Sequence, residues 1–133
     1  MDIFCRIVKK EIPAHVVYET EDTLAFLDVT PSAPGHTMVI LKKHGNNIQE
    51  YTPEDLGKAM ASVQEVSKKI ESAMQPDSIT IGINHKEQRG VPHLHIHLIP
   101  RWENDGGHAL QGVVKNQPKE DIAAIAEKIR NVS

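Results

Sequence analysis

One cysteine, Cys5, is the only thiol in this 133-residue chain. An intrachain disulfide is excluded, and nothing points to an oxidising compartment. Basic residues come no more than two in a row, as in Lys42-Lys43 and Lys68-Lys69, and the formal net charge is -3. Duplex DNA or RNA held by backbone neutralisation is excluded with them. A small anion needs only a local pocket, so phosphate ligands stay open. No apolar run approaches the ~20 residues of a membrane span. The opening residues, acidic and apolar, do not read as a secretory leader. The expected location is therefore the cytoplasm, with no membrane and no nucleic acid as partner. There is no internal repeat and no low-complexity linker.

What is present fits one ordinary domain, long enough to bury a core unaided. Apolar residues make up 39% and charged residues 25% of the chain, a globular balance. Asp2 is placed to cap a short helix over residues 3–9, and Pro13 closes it. Strands are predicted at Val16–Glu19, Leu24–Asp28 and His36–Leu41, with a Pro/Gly loop at Pro31, Pro34 and Gly35. Thr52-Pro53-Glu54-Asp55 is a strong helix start: a hydroxyl cap, then proline, then acids at the positive dipole end. Leu56, Met60, Val63, Ile70 and Met74 keep helical spacing to about residue 74. Strands follow at Ile79–Asn84 and Pro92–Pro100. Asn104-Asp105-Gly106-Gly107 reads as a flexible loop. A last helix after Pro118 carries Ile122, Ile125, Ala126 and Ile129 on one face. The prediction is a single α+β domain, a mostly antiparallel sheet with flanking helices.

Eight residues are histidine, and three of them fall within five positions. In His93-Leu94-His95-Ile96-His97-Leu98 the two classes alternate with the period of a strand. Leu94, Ile96 and Leu98 are expected to face the core. His93, His95 and His97 are expected on the other face, roughly 7 Å apart. A solvated polar face accounts poorly for three imidazoles where threonine, lysine or glutamate would serve. Two readings remain open on spacing alone. His-x-His on a strand presents zinc ligands, and neutral imidazole is also a nucleophile and proton carrier near pH 7.

The block His93-Leu94-His95-Ile96-His97-Leu98-Ile99, with Pro100-Arg101 after it, resembles the signature of the histidine triad (HIT) superfamily. Ala25-Phe26-Leu27-Asp28 through Gly35-His36-Thr37-Met38-Val39-Ile40 is similar to that family's upstream nucleotide-binding block. Ile3-Phe4-Cys5 and Glu11-Ile12-Pro13 resemble its N-terminus. The likeness covers most of residues 2–101, with 102–133 as a C-terminal loop and helix, and points to the Hint-like branch. It implies a homodimer that binds purine nucleoside phosphates and cleaves or transfers at the α-phosphorus. An adenosine phosphoramidate giving AMP through a covalent histidine–nucleotidyl intermediate is the implied reaction. A dinucleoside polyphosphate hydrolase and a regulatory nucleotide-binding module are the alternatives.

Position by position, the resemblance makes His95 the nucleophile. His93 and His97 become flanking residues that orient it and contact phosphate, and His36 a fourth active-site histidine. It implies that Asp28 bonds the ribose hydroxyls and that Ile3, Phe4, Ile7, Phe26 and Val29 wall the base. It requires no cofactor. The departure is at Asn84-His85-Lys86-Glu87-Gln88-Arg89-Gly90-Val91-Pro92, about two residues short of the family pattern and without its Gly-Gln-Ser/Thr order. Asn84 keeps the phosphate-side role, Gln88 or Arg89 takes the glutamine's place, and Gly90 falls where a hydroxyl residue usually sits. Arg89 with Lys86 would favour longer polyphosphates. A structural zinc on Asp2, Cys5, His44 and His93 is the other implication, the first ligand being aspartate where many bacterial relatives have cysteine. Trp102 is expected at a dimer or pocket surface, or as a packing residue.

Overall fold

Residues 1–132 are described by a computed structural model. Helix α1 covers Ile3–Val8, and the Asp2 carboxylate accepts the Cys5 N–H at 2.8 Å, as expected of a cap. Strands β1 (Val16–Glu19), β2 (Thr23–Leu27) and β3 (Thr37–Leu41) form a meander. Helix α2, Pro53–Met74, starts where the Thr52 hydroxyl accepts the Asp55 N–H at 3.1 Å. It stops at Gln75, whose φ of 52° is left-handed and whose N–H reaches the Glu71 carbonyl. Strands β4 (Ser78–Gly82) and β5 (His95–Arg101) complete the sheet, and helix α3, Ile122–Arg130, ends the described chain.

All five strands pair antiparallel in the order β1-β2-β3-β5-β4. The last strand thus inserts between β3 and β4 rather than adding at the edge. One face of the sheet buries Ala25, Val39, Leu41, Ile96 and Leu98 against Ala59, Val63, Val66 and Ile70 of α2. Each of the valine, leucine and isoleucine side chains contributes about 1.5–3 kcal/mol by leaving water. The other face carries a smaller cluster of Phe4 from α1 with Leu24, Phe26, Met38 and Ile40. Ile40 stands across from His95 and Met38 across from His97, so both histidines share this second face. A buried hydroxyl pair, Thr23 with Ser62 at 2.6 Å, ties β2 to α2.

Three details differ from the sequence expectation. Strand β5 begins at His95, not Pro92: Pro92 has no N–H to give a ladder, and the His93 N–H turns back to the Val91 carbonyl at 2.8 Å. The 104–107 loop is tied down, because Asp105 accepts from Arg101 Nε at 2.7 Å and from the Gly107 N–H at 2.9 Å. These bonds hold its carboxyl far below the usual carboxylate range, the Arg101 bond first among them. Helix α3 has the expected apolar residues but buries none, with Ile122 74% and Ile129 71% exposed. Among the described residues no helix is long and apolar enough to cross a membrane.

Candidate active site

The loop from Asp28 to His36 joins β2 to β3 and brings a fourth histidine to the triad. Gly35 makes this turn with φ +86°, a conformation that a side chain would strain. The Ser32 N–H then donates to His36 Nδ1 at 3.0 Å. That bond makes Nδ1 an acceptor, so the His36 proton sits on Nε2. His36 Nε2 in turn lies 2.9 Å from His97 Nδ1 and donates to it. The His97 proton is thereby placed on Nε2, free to donate to a phosphoryl oxygen. Burial lowers the pKa of both rings, against the Asp28 charge at His36 and with the help of the His95 and His36 charges at His97. Both rings are neutral near pH 7, which the relay needs.

His95 is set the same way. Its Nδ1 faces the His93 carbonyl at 2.7 Å, and a carbonyl only accepts. Nδ1 therefore carries the proton, and Nε2 is the nitrogen left for chemistry. The Phe4 ring packs edge-on to this imidazole with centroids 5.2 Å apart. The side chain is 12% exposed, open to a ligand but not loose. Facing Nε2 is an acid that the sequence reading had not singled out: Glu87 Oε1, 3.3 Å away.

His93 is placed differently from the expected phosphate contact. Its ring is fully buried, and Nε2 donates to the Leu41 carbonyl at 2.8 Å. Nδ1 then offers a lone pair toward Asp2, Cys5 and His44, the other three residues expected around zinc. Cys5 Sγ lies 3.4 Å from Asp2 Oδ2, 3.4 Å from His44 Nδ1 and 3.6 Å from His93 Nδ1. Asp2 Oδ2 lies 2.9 Å from His44 Nδ1 and 3.3 Å from His93 Nδ1. A tetrahedral zinc with bonds of about 2.0–2.3 Å spans ligand edges of roughly 3.3–3.6 Å. Four of these five edges fall in that range, the Asp2–His44 edge being shorter at 2.9 Å, a hydrogen-bond distance, and the Leu41 carbonyl supplies the outer bond that a ligating histidine usually makes. Burial raises the Asp2 carboxyl, but the Cys5 N–H and the His93 and His44 charges outweigh it and hold it low.

Two clefts flank the triad. The larger, about 600 Å³, is lined by His36, His97, Asn84, Arg101 and the 107–113 segment. The smaller, about 220 Å³, holds His95, Glu87, Asn84 and Pro92. Asn84 lines both. Gln88 and Arg89 are exposed and line neither. Asp28 faces His36 at 3.6 Å while its Oδ1 accepts from the Thr30 N–H and hydroxyl. Of the five expected base-wall residues, Phe4 and Phe26 are buried against each other with centroids 5.4 Å apart. Ile7 packs beside them, while Ile3 is 48% and Val29 80% exposed. Trp102 is half-buried.

The two buried neutral rings also make stability pH-dependent. His36 and His97 have folded pKa values below the ordinary 6.5, burial being the main cause. Unfolding lets them take up protons, so stability is complete above about pH 6.5 and drops as pH falls below it. The urea midpoint is expected to fall between about pH 7 and pH 5. A midpoint that rises over this range counts against neutral buried rings.

Over residues 9–104 the chain matches the family model described as HIT domain. An uncharacterised HIT-like protein of Methanocaldococcus jannaschii is 41% identical over 127 residues, covering 92% of this chain and 95% of its own. The adenosine 5'-monophosphoramidase of Schizosaccharomyces pombe is 33% identical over 129 residues, covering 96% and 94%. A HIT-family crystal structure from Bacillus subtilis superposes with a TM-score of 0.85 at 34% identity, covering 99% of this chain and 97% of the other.

Proposed function

The chain belongs to the HIT family, and from that premise we propose that it hydrolyses adenosine phosphoramidates to AMP, with His95 Nε2 as the nucleophile. The observation that carries this reading is the 2.7 Å contact of His95 Nδ1 with the His93 carbonyl, which reserves Nε2 for attack. In the first half, the Nε2 lone pair forms a bond to the α-phosphorus. The phosphorus–nitrogen bond breaks, its electron pair goes to the leaving nitrogen, and that nitrogen takes up a proton. In the second half, a water oxygen attacks phosphorus and the pair in the histidine–phosphorus bond returns to Nε2. The water gives up its proton and AMP departs. Splitting the displacement in two gives each half a lower barrier. His97 Nε2–H, set by the His36 relay, donates to the phosphoryl oxygens as they gain charge. The His93 backbone orients the nucleophile, while its ring serves elsewhere. Asn84 borders the phosphate, Asp28 takes the ribose hydroxyls, and Ile3, Ile7 and Val29 flank the base above Phe4 and Phe26. The test is AMP release from an adenosine phosphoramidate by the purified protein, with the adduct on His95 trapped by rapid quench. No turnover would refute the reading.

The single thiol suits a reducing compartment, the cytoplasm. Asp2, Cys5, His44 and His93 would hold a structural zinc, which supplies a cross-link between α1, the loop after β3 and the approach to β5, and no chemistry on phosphate. The reading also includes a homodimer, supported by the uncovered apolar residues of α3 and by Ile81 and Ile83 at the β4 edge. Native mass spectrometry reads both together: two chains with one zinc per chain are expected. A metal-free monomer removes both proposals and leaves the chemistry at His95 untouched.

A further inference from the structure

We infer that Glu87 determines which leaving group this site accepts, favouring an amine over an anionic phosphate chain. The inference rests on the nucleotidyl-transfer reading above and names its substrate class. Glu87 Oε1 lies 3.3 Å from His95 Nε2, about the distance at which an attacked phosphorus would stand. The carboxylate thus occupies the reacting position itself, and a substrate has to move it aside. Side-chain rotation leaves it tethered in the same cleft. That cleft, at about 220 Å³, is below the roughly 300–1,000 Å³ of pockets that enclose a whole small ligand, and suits a leaving group.

A second observation shows that the placement is built into the turn. A Cβ added at Gly90 would overlap the Glu87 carboxyl, so this pose exists only because position 90 lacks a side chain. Lys86, the residue before, takes φ 58°, the left-handed conformation that makes the turn tight enough to aim Glu87 back at β5. Of the two exposed cations of the turn, Lys86 borders the smaller cleft and Arg89 lines neither. The charged group in contact with the reacting nitrogen is nevertheless the Glu87 carboxylate, at 3.3 Å, and Lys86 makes no such contact. An amine leaves with an added proton and brings no negative charge against it. A polyphosphate leaving group brings several, and in a partly desolvated cleft that repulsion is strong.

The experiment compares kcat/KM on an adenosine phosphoramidate and on a diadenosine polyphosphate for the wild type, Glu87→Gln and Gly90→Ala. Glu87→Gln removes the charge and keeps the shape, while Gly90→Ala evicts the carboxylate without removing it. Both are expected to lower the preference for the phosphoramidate about tenfold, chiefly by raising polyphosphate turnover. The wild-type preference should also narrow at high salt, as a charge effect does. A preference unchanged within about twofold in both variants, with the wild type active, overturns the role of Glu87 alone. A wild type silent on both substrates overturns the nucleotidyl-transfer reading and this inference with it.

Discussion

Replacing His95 with alanine is expected to lower kcat/KM for AMP release by about 10⁴-fold or more, the scale on which loss of a covalent nucleophile is felt. No neighbour can take over. His97 Nδ1 is occupied by His36, and its Nε2 carries the proton. His93 is fully buried with Nε2 on the Leu41 carbonyl. The fold should survive, because what disappears is a partly exposed ring packed edge-on to Phe4, and the His93 carbonyl can turn to water. AMP binding by calorimetry should persist within a few-fold, since the ribose and phosphate partners proposed above are other residues. The loss would then lie in kcat. Substantial residual turnover, or the same adduct trapped on another histidine, would rule His95 out as nucleophile.

Most of what frames His95 was legible before any coordinates, because it rests on local rules. Period-two alternation put Leu94, Ile96 and Leu98 inside, and all three are buried. Thr52-Pro53 marked the start of α2, and Gln75-Pro76 its end, to within a residue. The insertion of β5 between β3 and β4 was not legible, since strand order is decided by non-local pairing that no local pattern encodes. The histidine strand itself was read as starting three residues too early. His93 lies just before the ladder, where the backbone turns back on Val91, and its ring, packed on Phe4 like that of His95, is buried beside Asp2, Cys5 and His44. Glu87 was missed because its meaning depends on Gly90 three residues on. The readable signal was an acid and a bare glycine in the shortened turn feeding the nucleophile strand.

The same strand carries the largest stability effect we expect. Leu98→Ala should destabilise the protein by about 3–5 kcal/mol, in the range seen when a buried leucine leaves a cavity that cannot collapse. Leu98 has no exposed surface and stands between Thr37 of β3 and Ile81 of β4. On its face it packs in the cluster formed with Val63, Val66 and Ile70 of α2. Two strands in register on either side and a helix above leave little room for relaxation. A domain of this size has a total stability of roughly 5–15 kcal/mol, so the loss is a large share of it. The urea midpoint should fall with the slope unchanged, whereas Leu98→Met, which keeps the volume, should cost less than about 1.5 kcal/mol. A cost below about 1 kcal/mol for the alanine would mean that α2 closes over the gap. Because His97 and Leu98 point to opposite faces, the alanine variant should keep near-normal activity per folded molecule in the cold. It would lose activity on warming in step with unfolding. Turnover that fails while the protein is still folded would instead show that the packed face of β5 sets the geometry of the reacting one.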